Sequence, residues 1–237
     1  MSETFKFKQF SIKHDKCAMK IGTDGVLLGA WAYIDHNPLT VLDIGAGTGL
    51  ISLMLAQRSP QSFIEAIEIN ADAFEQCADN FENSIWNDRL FCYHASLLEY
   101  VEEVEDNYDL IVSNPPFYSE NYKTNNKARD LARFNDAMPF EHLVFAVAKL
   151  LGDKGKFCTI IPFKEQDRFI KLAKQAHLFL KEATLIRGNN TSEFKRSLLC
   201  FSRQESQFTT NELAIEINRH QYTQEYIELT KDFYLKM

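Results

Sequence analysis

The sequence has few of the features that mark secreted, metal-binding or membrane proteins. Its five cysteines, in 237 residues, include no C-x-x-C pair, which excludes a zinc knuckle or a disulfide framework and favours reduced thiols. The six histidines show no metal-ligand spacing, so we expect no metal site. The first ten residues alternate polar and apolar side chains. We therefore expect a cytoplasmic protein without a signal peptide or a membrane span.

Basic residues are scarce in one stretch of the chain. Between Gln61 and Leu110, thirteen acids accompany the single basic residue Arg89, a balance of −12. Because the net charge is −7, the remainder carries +5. Such a bipolar chain can present a basic face to a nucleic acid. Basic side chains interleaved with aromatic ones, near the N-terminus and within 118–135, are the candidate RNA contacts: Lys6, Lys8, Lys13, Lys123, Lys127, Arg129 and Arg133. The alternative for both segments is a solvated surface.

Glycine is also sparse, yet three of the nine glycines fall in VLDIGAGTG at 41–49. The apolar run predicts a buried parallel strand, and the glycines predict a turn that approaches a ligand closely. The third glycine comes one residue too early for the dinucleotide pattern G-x-G-x-x-G. The D-x-G-x-G-x-G pattern resembles instead the first motif of class I methyltransferases, which bind S-adenosylmethionine. That resemblance implies a cofactor loop of Asp43, Gly45, Gly47 and Gly49, with the acid near the cationic methionine end. A tight turn without a ligand is the alternative.

Five further residues are candidates for cofactor binding. The predicted strand FIEAIEI ends in Glu68 and Ile69, about where an acid accepts hydrogen bonds from ribose hydroxyls in nucleotide-binding folds. Ser96 stands where methyltransferases commonly carry Asp or Asn for the adenine ring, and a hydroxyl makes only part of that contact. Thr23 and Asp24 either cap a covering helix or lie over the methionine end of the cofactor.

The candidate catalytic turn is Asn114-Pro115-Pro116-Phe117, directly after the predicted strand Tyr108–Ser113. Parallel strands deliver the loops that follow them to one crevice. The prolines fix the backbone and remove its donors, leaving carbonyl oxygens free. The Asn114 side chain and the Pro115 carbonyl can then accept the two N–H bonds of a planar exocyclic amine, with Phe117 against the base. A strand-ending turn without chemistry is the alternative.

The alternation of strand and helix patterns predicts one α/β domain over residues 1–237. We expect a Rossmann-like class I methyltransferase fold, with a seven-stranded, mostly parallel sheet, helices on both faces and an antiparallel closing strand. The closing pair is expected near Phe179–Ile186 and Ser197–Ser202, and residues 211–237 offer a short strand and a helix. Residues 1–35 are predicted to form an N-terminal extension, a basic strand or hairpin followed by a covering helix. We expect a monomer.

Four segments carry a closer resemblance: GTDGVLLGAW, LDIGAGTGL, DLIVSNPPF and the C-terminal LTKDFYLKM. Together they are similar to the bacterial tRNA1(Val) (adenine(37)-N6)-methyltransferase family over nearly the whole chain. The resemblance implies methyl transfer from S-adenosylmethionine to the exocyclic amine of an adenine in tRNA. Phe117 departs from the Tyr usual in N6-adenine enzymes, and Ser96 replaces the usual acid. Three alternatives stay open: a guanine-N2 methyltransferase of ribosomal RNA, a glutamine N5-methyltransferase of release factors, and a tRNA-binding module without turnover.

Overall fold

A computed structural model describes residues 4–17, 20–116 and 138–237. The strands, in chain order, are β1 (Thr4–Lys6), β2 (Ser11–Lys13), β3 (Thr40–Ile44), β4 (Phe63–Glu68), β5 (Leu90–His94), β6 (Tyr108–Ser113), β7 (Leu151–Pro162), β8 (Phe179–Asn189), β9 (Phe194–Ser202), β10 (Thr209–Asn218) and β11 (Gln221–Tyr222). The helices of the described residues are α1 (Thr23–Trp31), α2 (Leu50–Arg58), α3 (Ala71–Glu82), α4 (Leu97–Glu103), α5 (Phe140–Leu150), α6 (Gln166–Gln175) and α7 (Gln224–Thr230), and a 3-10 turn, Phe163–Glu165, precedes α6.

Strands β3 to β11 form one sheet in the order β11-β10-β8-β9-β7-β6-β3-β4-β5. Strands β3, β4, β5, β6 and β7 are parallel, and β9 runs antiparallel to both β7 and β8. This arrangement confirms the predicted Rossmann-like α/β class with its antiparallel closing strand. The expected number of seven strands was too low. The short strand expected within residues 211–237 corresponds to β10, which pairs with β8, and β11 pairs with β10. Both strands extend the main sheet beyond the seven that were expected.

The strand directions define one functionally important edge. Because β3, β4, β6 and β7 are parallel, their carboxyl ends lie at the same edge of the sheet, which we name the carboxyl edge. The end of β8 and the start of β9 lie at this edge too. Arg196, near the start of β9, pairs with Pro162 at the end of β7 and with Ile186 near the end of β8. Loops at the carboxyl ends of parallel strands are where this class of fold binds its ligands.

Two separate apolar cores cover the two faces of the sheet. One core contains Leu28 of α1, Leu53 of α2 and Phe81 of α3. The other contains Val147 of α5 and Phe169 of α6. Helices therefore pack on both faces, as expected for a doubly wound sheet.

Two helix starts differ from the sequence-based expectation. The N-cap of α1 is Gly22, which makes no side-chain capping bond, so neither Thr23 nor Asp24 caps that helix. Helix α4 was not expected at all. Its N-cap is Ser96, whose hydroxyl accepts the Glu99 amide while Glu99 bonds back to the Ser96 amide. This S-x-x-E capping box is the local signal that could have predicted α4.

The N-terminal hairpin of β1 and β2 packs against the C-terminal residues. Phe7 forms a β-bridge with Tyr234, and the Lys8 amide donates to the Phe233 carbonyl at 2.8 Å. The Lys8 ammonium donates to the Lys231 and Met237 carbonyl oxygens. Two of the three ammonium donors of Lys8 are thus engaged in joining the N-terminal hairpin to the C-terminal residues. Lys8 is therefore a weaker candidate for an RNA contact than Lys6 or Lys13, and that contact stays a prediction.

Arg58 connects α2 to the end of α1. Its Nη1 donates to the carbonyl oxygens of Gly29 and Ala32, both at 2.9 Å, and burial lowers the pKa of Arg58. We expect Arg58→Ala to lower the free energy of unfolding by about 2–4 kcal/mol, because two charge-assisted bonds are lost and two carbonyls lose their partner. Urea denaturation measures this. The control, Arg168→Ala, removes an exposed ion pair with Glu141 and should cost no more than about 1 kcal/mol; equal losses in both variants would contradict the assignment.

Two findings concern membranes and metals. No helix in the described part of the chain is long and apolar enough to cross a membrane. Among those same residues, no group of His, Cys, Asp and Glu side chains is arranged to hold a metal ion.

Candidate functional site

The glycine turn at residues 45–49 forms the centre of the candidate site. Gly45, Gly47 and Gly49 all have left-handed backbones, with φ of 74°, 56° and 78°, a conformation that costs any residue with a Cβ. A Cβ on Gly47 would meet no atom of the described residues within 4 Å, and one on Gly45 would approach only the Met138 side chain among them. Within this part of the chain the turn is thus open above Gly47, as a ligand-binding turn requires.

The amides of this turn already have acceptors within the protein. Gly45 and Ala46 both donate to the Ile67 carbonyl, at 2.9 and 3.1 Å. Gly47 donates to Glu68 Oε2 at 2.8 Å. A phosphate-binding turn needs amides that are free to donate to the anion. The site therefore fits a phosphate-free ligand better than a dinucleotide.

Asp43 is a buried carboxylate beneath the turn. It is fully buried, and its Oδ2 accepts the Ser52 hydroxyl at 2.7 Å. Its Oδ1 has no hydrogen-bond partner among the described residues. Burial raises the pKa of Asp43 to about 7, while the Ser52 bond opposes this shift. A nearby positive charge would stabilise the ionised form, so this carboxyl fits a cationic ligand.

Glu68 ends β4 and borders the same turn. Besides the Gly47 amide it accepts the Asn70 amide, through Oε1 at 2.9 Å. Ionised carboxylates have about four acceptor positions, so two remain for ligand hydroxyls. Ile69 follows with its side chain exposed. Ser96 lies at the same edge, since the amide of the preceding residue, Ala95, donates to the Glu68 carbonyl. The Ser96 hydroxyl also accepts the Glu99 amide in capping α4.

The register of β3 and β6 brings the candidate catalytic turn beside the glycine turn. Ile44, which precedes Gly45, pairs with Ser113, which precedes Asn114. In addition, the Ser113 hydroxyl donates to the Ile44 carbonyl at 2.8 Å. Asn114 is half-buried and Pro115 is buried. The structure therefore brings two motifs together that are separated by more than sixty residues in the chain.

Several candidates lie outside the described residues. Phe117 is among them, and so are four of the candidate RNA contacts: Lys123, Lys127, Arg129 and Arg133. Pro116 is the last described residue of the candidate catalytic turn and is half-buried.

Thr23 and Asp24 occupy the first turn of α1, whose Gly25 packs against Leu50 at the start of α2. They therefore reach the carboxyl edge next to the glycine turn. However, Asp24 Oδ2 accepts from Arg196 Nε at 2.7 Å, and both residues line a cavity of about 290 Å³ between α1 and the strands β8, β9 and β10. The Asp24 carboxylate therefore has an arginine partner on β9, and its contact with a cofactor stays a prediction.

The last residue of the N-terminal hairpin is held against the glycine turn. The Lys13 amide donates to Asn80 Oδ1, and Asn80 Nδ2 donates to the carbonyls of Lys13 and Thr48, all at 2.9 Å. The side chains of Lys6 and Lys13 are exposed. The basic hairpin is thus fixed to the framework of the site.

Sequence reasoning missed four residues that build this site: Ser52, Asn80, Ser113 and Met138. Each of the three polar residues bonds to a partner on another element, and no single-sequence pattern specifies such a pairing. Ser113 alone had a usable signal, a hydroxyl at the end of a buried strand next to an Asn-Pro turn.

Comparisons with known proteins agree with this geometry. Residues 28–138 match the family model described as Methyltransferase small domain. The chain is 61% identical, over 98% of its length and 100% of the relative's, to the tRNA1(Val) (adenine(37)-N6)-methyltransferase of Flavobacterium psychrophilum. It is 62% identical, with the same coverage, to the protein of that name in Flavobacterium johnsoniae.

A solved structure supports the fold independently. The chain resembles a predicted O-methyltransferase from Agrobacterium tumefaciens, with a TM-score of 0.72 and 18% sequence identity, over 89% of this chain and 96% of that one. At this identity the likeness shows the fold alone.

Proposed function

The chain belongs to the family of the tRNA1(Val) (adenine(37)-N6)-methyltransferases, and we propose on that premise that it methylates the exocyclic N6 amine of adenine 37 in tRNA1(Val). The cofactor is S-adenosylmethionine. One observation carries the chemistry: the Ile44–Ser113 pairing sets the glycine turn and the Asn114 turn side by side. We infer that the protein acts in the cytoplasm as a monomeric single domain.

The residues around the glycine turn suit this cofactor. When bound, S-adenosylmethionine supplies an electrophilic methyl group on a sulfonium. Asp43 and Glu68 provide carboxylates for its positive charges and its ribose hydroxyls, and the exposed side chain of Ile69 offers an apolar contact for the adenine ring. Ser96 and Thr23 stay candidates at the border of the site. The open space above Gly47 admits a ligand close to the backbone.

Asn114 and Pro115 prepare the nucleophile. The adenine N6 lone pair is delocalised into the ring, so the amine reacts slowly unless it is oriented. Asn114 Oδ1 and the Pro115 carbonyl accept its two N–H bonds, which orients the amine so that its lone pair is directed at the methyl carbon. Transfer would form the N–C bond while the sulfonium S–C bond breaks and its electron pair stays on the sulfur, and the nitrogen would then lose one proton to water. Positioning and electrostatic stabilisation of this kind need no covalent intermediate. Phe117 stacks on the adenine, and Pro116 keeps the turn rigid.

We propose that Lys6, Lys13, Lys123, Lys127, Arg129 and Arg133 contact tRNA phosphates. The exposed side chains of Lys6 and Lys13 support this for the N-terminal hairpin, and the bond from the Lys13 amide to Asn80 holds the end of that hairpin beside the glycine turn.

The direct test uses purified protein, labelled S-adenosylmethionine and total tRNA from a strain that lacks the gene. Digestion and mass spectrometry identify the labelled nucleoside. We expect N6-methyladenosine in valine tRNA, and no label in a transcript whose adenine 37 is replaced by guanine. Parallel reactions contain ribosomal RNA or a purified release factor in place of tRNA. Label in N2-methylguanosine of the ribosomal RNA or in a glutamine of the release factor, with none in tRNA, would refute the proposal and leave the fold unaffected.

Cofactor binding should release a proton from Asp43. Because burial raises the pKa of this carboxyl to about 7, it is largely protonated below that pH, whereas a cationic ligand favours the carboxylate. Affinity for S-adenosylmethionine should therefore rise with pH up to about 7 and level off above it. Calorimetry at pH 6 to 6.5 in buffers of different ionisation enthalpy measures the released proton.

The matched control for this prediction is Asp43→Asn, which keeps the size and the Ser52 contact but cannot ionise. It should bind the cofactor more weakly and without that proton release. Identical proton release in the wild type and in this variant would show that another group titrates.

A further inference from the structure

We give the name hairpin surface, after the antiparallel pair β8 and β9 and not the N-terminal hairpin, to five residues at the carboxyl edge: Phe163, Lys164, Arg187, Phe194 and Lys195. Strand β7, which leads into Phe163, is the hydrogen-bonded neighbour of β6, which leads into Asn114. Strand β9, which begins at Phe194, follows on the other side of β7. The hairpin surface is therefore the next surface along the edge from the catalytic turn, away from the glycine turn.

The rings of this surface are held in a fixed arrangement. The Phe163 and Phe194 ring centroids lie 5.5 Å apart, and the Arg187 guanidinium carbon lies 5.3 Å from the centre of the Phe194 ring. Arg187 is held in turn by Glu212 at 3.0 Å. Phe163 nevertheless remains 36% exposed. The Phe163 ring packs against Phe194 on one side and is open to solvent on the other, so it is suited to stacking against a base.

The lysines of this surface are available to a ligand. Lys164 and Lys195 are exposed, and no ion pair within the described part of the chain uses either of them. Residues 160–204 carry nine Lys and Arg against four acids. By contrast, the acidic stretch 61–110 includes β4 and β5, which form the end of the sheet away from β8 and β9. A polyanion at the catalytic turn is therefore attracted toward β9 and β8 and repelled from β5.

The hairpin surface borders a recess. Arg187 and Lys195 also line the cavity of about 290 Å³ described above, together with Arg196 and its ion-pair partner Asp24. Three cations against one carboxylate make the charge of this lining positive, and a recess of that sign focuses the electrostatic potential and attracts an anionic chain.

We propose that the hairpin surface binds the RNA strand that flanks the target adenine, with phosphates on Lys164 and Lys195 and one flanking base on Phe163. This inference rests on the proposed function, since it extends the substrate site of the same reaction. Cations interleaved with an exposed aromatic ring match single-stranded RNA, the form of nucleic acid in which bases are free to stack.

Binding of unmodified tRNA1(Val) transcript, measured across a salt series, tests the proposal. Lys164→Gln/Lys195→Gln should weaken binding by roughly tenfold or more near 0.1 M salt and reduce the slope of log Kd against log salt by about 1.4–1.8. Phe163→Leu, which keeps apolar volume without a flat ring, should weaken binding by about fivefold or more without changing the slope. In methyl-transfer assays, these losses should appear in KM for tRNA.

The control is Lys154→Gln/Lys174→Gln, which removes two exposed lysines at the opposite edge of the sheet, where β7 begins and α6 ends. Its tRNA affinity should stay within twofold of the wild type. If the Lys164 and Lys195 double variant behaves like this control while the wild type methylates tRNA, the hairpin surface is refuted and the proposed function stands. A wild-type protein that binds no tRNA refutes both.

Discussion

Asn114→Ala should lower kcat for tRNA methylation by a factor on the order of 10²–10³, with little change in the affinity for S-adenosylmethionine. The reason is that the Asn114 oxygen is proposed to act on the adenine amine as that nitrogen becomes a nucleophile, and preorganised polar groups at a reacting atom are typically worth that much. The cofactor contacts proposed here come from β3 and β4, which do not include Asn114. Single-turnover methylation and calorimetry with the cofactor measure the two quantities separately.

Two further variants sharpen this test. Asn107→Ala changes an exposed asparagine just before β6, at the opposite end of the strand that leads into Asn114, and should leave kcat within twofold. Asn114→Asp keeps an acceptor oxygen and adds a charge, so it should retain more activity than the alanine variant. Methylation by Asn114→Ala at a near wild-type rate would show that Asn114 takes no part in the mechanism. The Asn-Pro-Pro sequence would then be a strand-ending turn without a chemical role.

The parts of this molecule that the sequence could predict are those with a local cause. An apolar run followed by D-x-G-x-G-x-G specifies a strand and a left-handed turn within nine residues, and all three glycines do have positive φ. The strand Tyr108–Ser113 was expected with the bounds that the structure has, because its apolar run ends at an Asn-Pro turn. Backbone conformation is restricted by steric contacts between residues that are adjacent in the chain, so these features can be predicted from the order of residues alone.

Contacts between distant residues had no such signature. The Ser113 bond to Ile44 spans 69 positions and the Asp24 bond to Arg196 spans 172. The second of these changed the interpretation of Asp24, because an acid in a polar turn is equally compatible with a cap, a ligand contact or a distant arginine. Likewise, Lys8 is a surface cation by composition and becomes a packing residue only through the C-terminal carbonyls that it meets.

Gly49→Ala should be the most destabilising substitution in the glycine turn. Gly49 precedes α2 with φ 78°, and a Cβ there would lie 2.5 Å from Phe81 Cε1 and 2.9 Å from Cys77 Sγ. Both atoms belong to side chains buried on α3, which cannot move without disturbing the core. Backbone strain of about 1–2 kcal/mol and overpacking of about 1–3 kcal/mol together predict a loss of about 2–5 kcal/mol. Urea denaturation followed by circular dichroism measures it.

Gly47→Ala is the matched control, and it separates the two roles of the turn. Its backbone is also left-handed, but a Cβ at Gly47 meets no atom within 4 Å in the residues that the structure describes. Only the strain of about 1–2 kcal/mol should appear in its unfolding free energy, whereas the added methyl group projects into the space proposed for S-adenosylmethionine and should weaken cofactor binding. If Gly49→Ala were no less stable than Gly47→Ala, the contact with α3 would not be the reason for a glycine at 49. A Gly47→Ala protein with wild-type cofactor affinity would move the cofactor away from this turn.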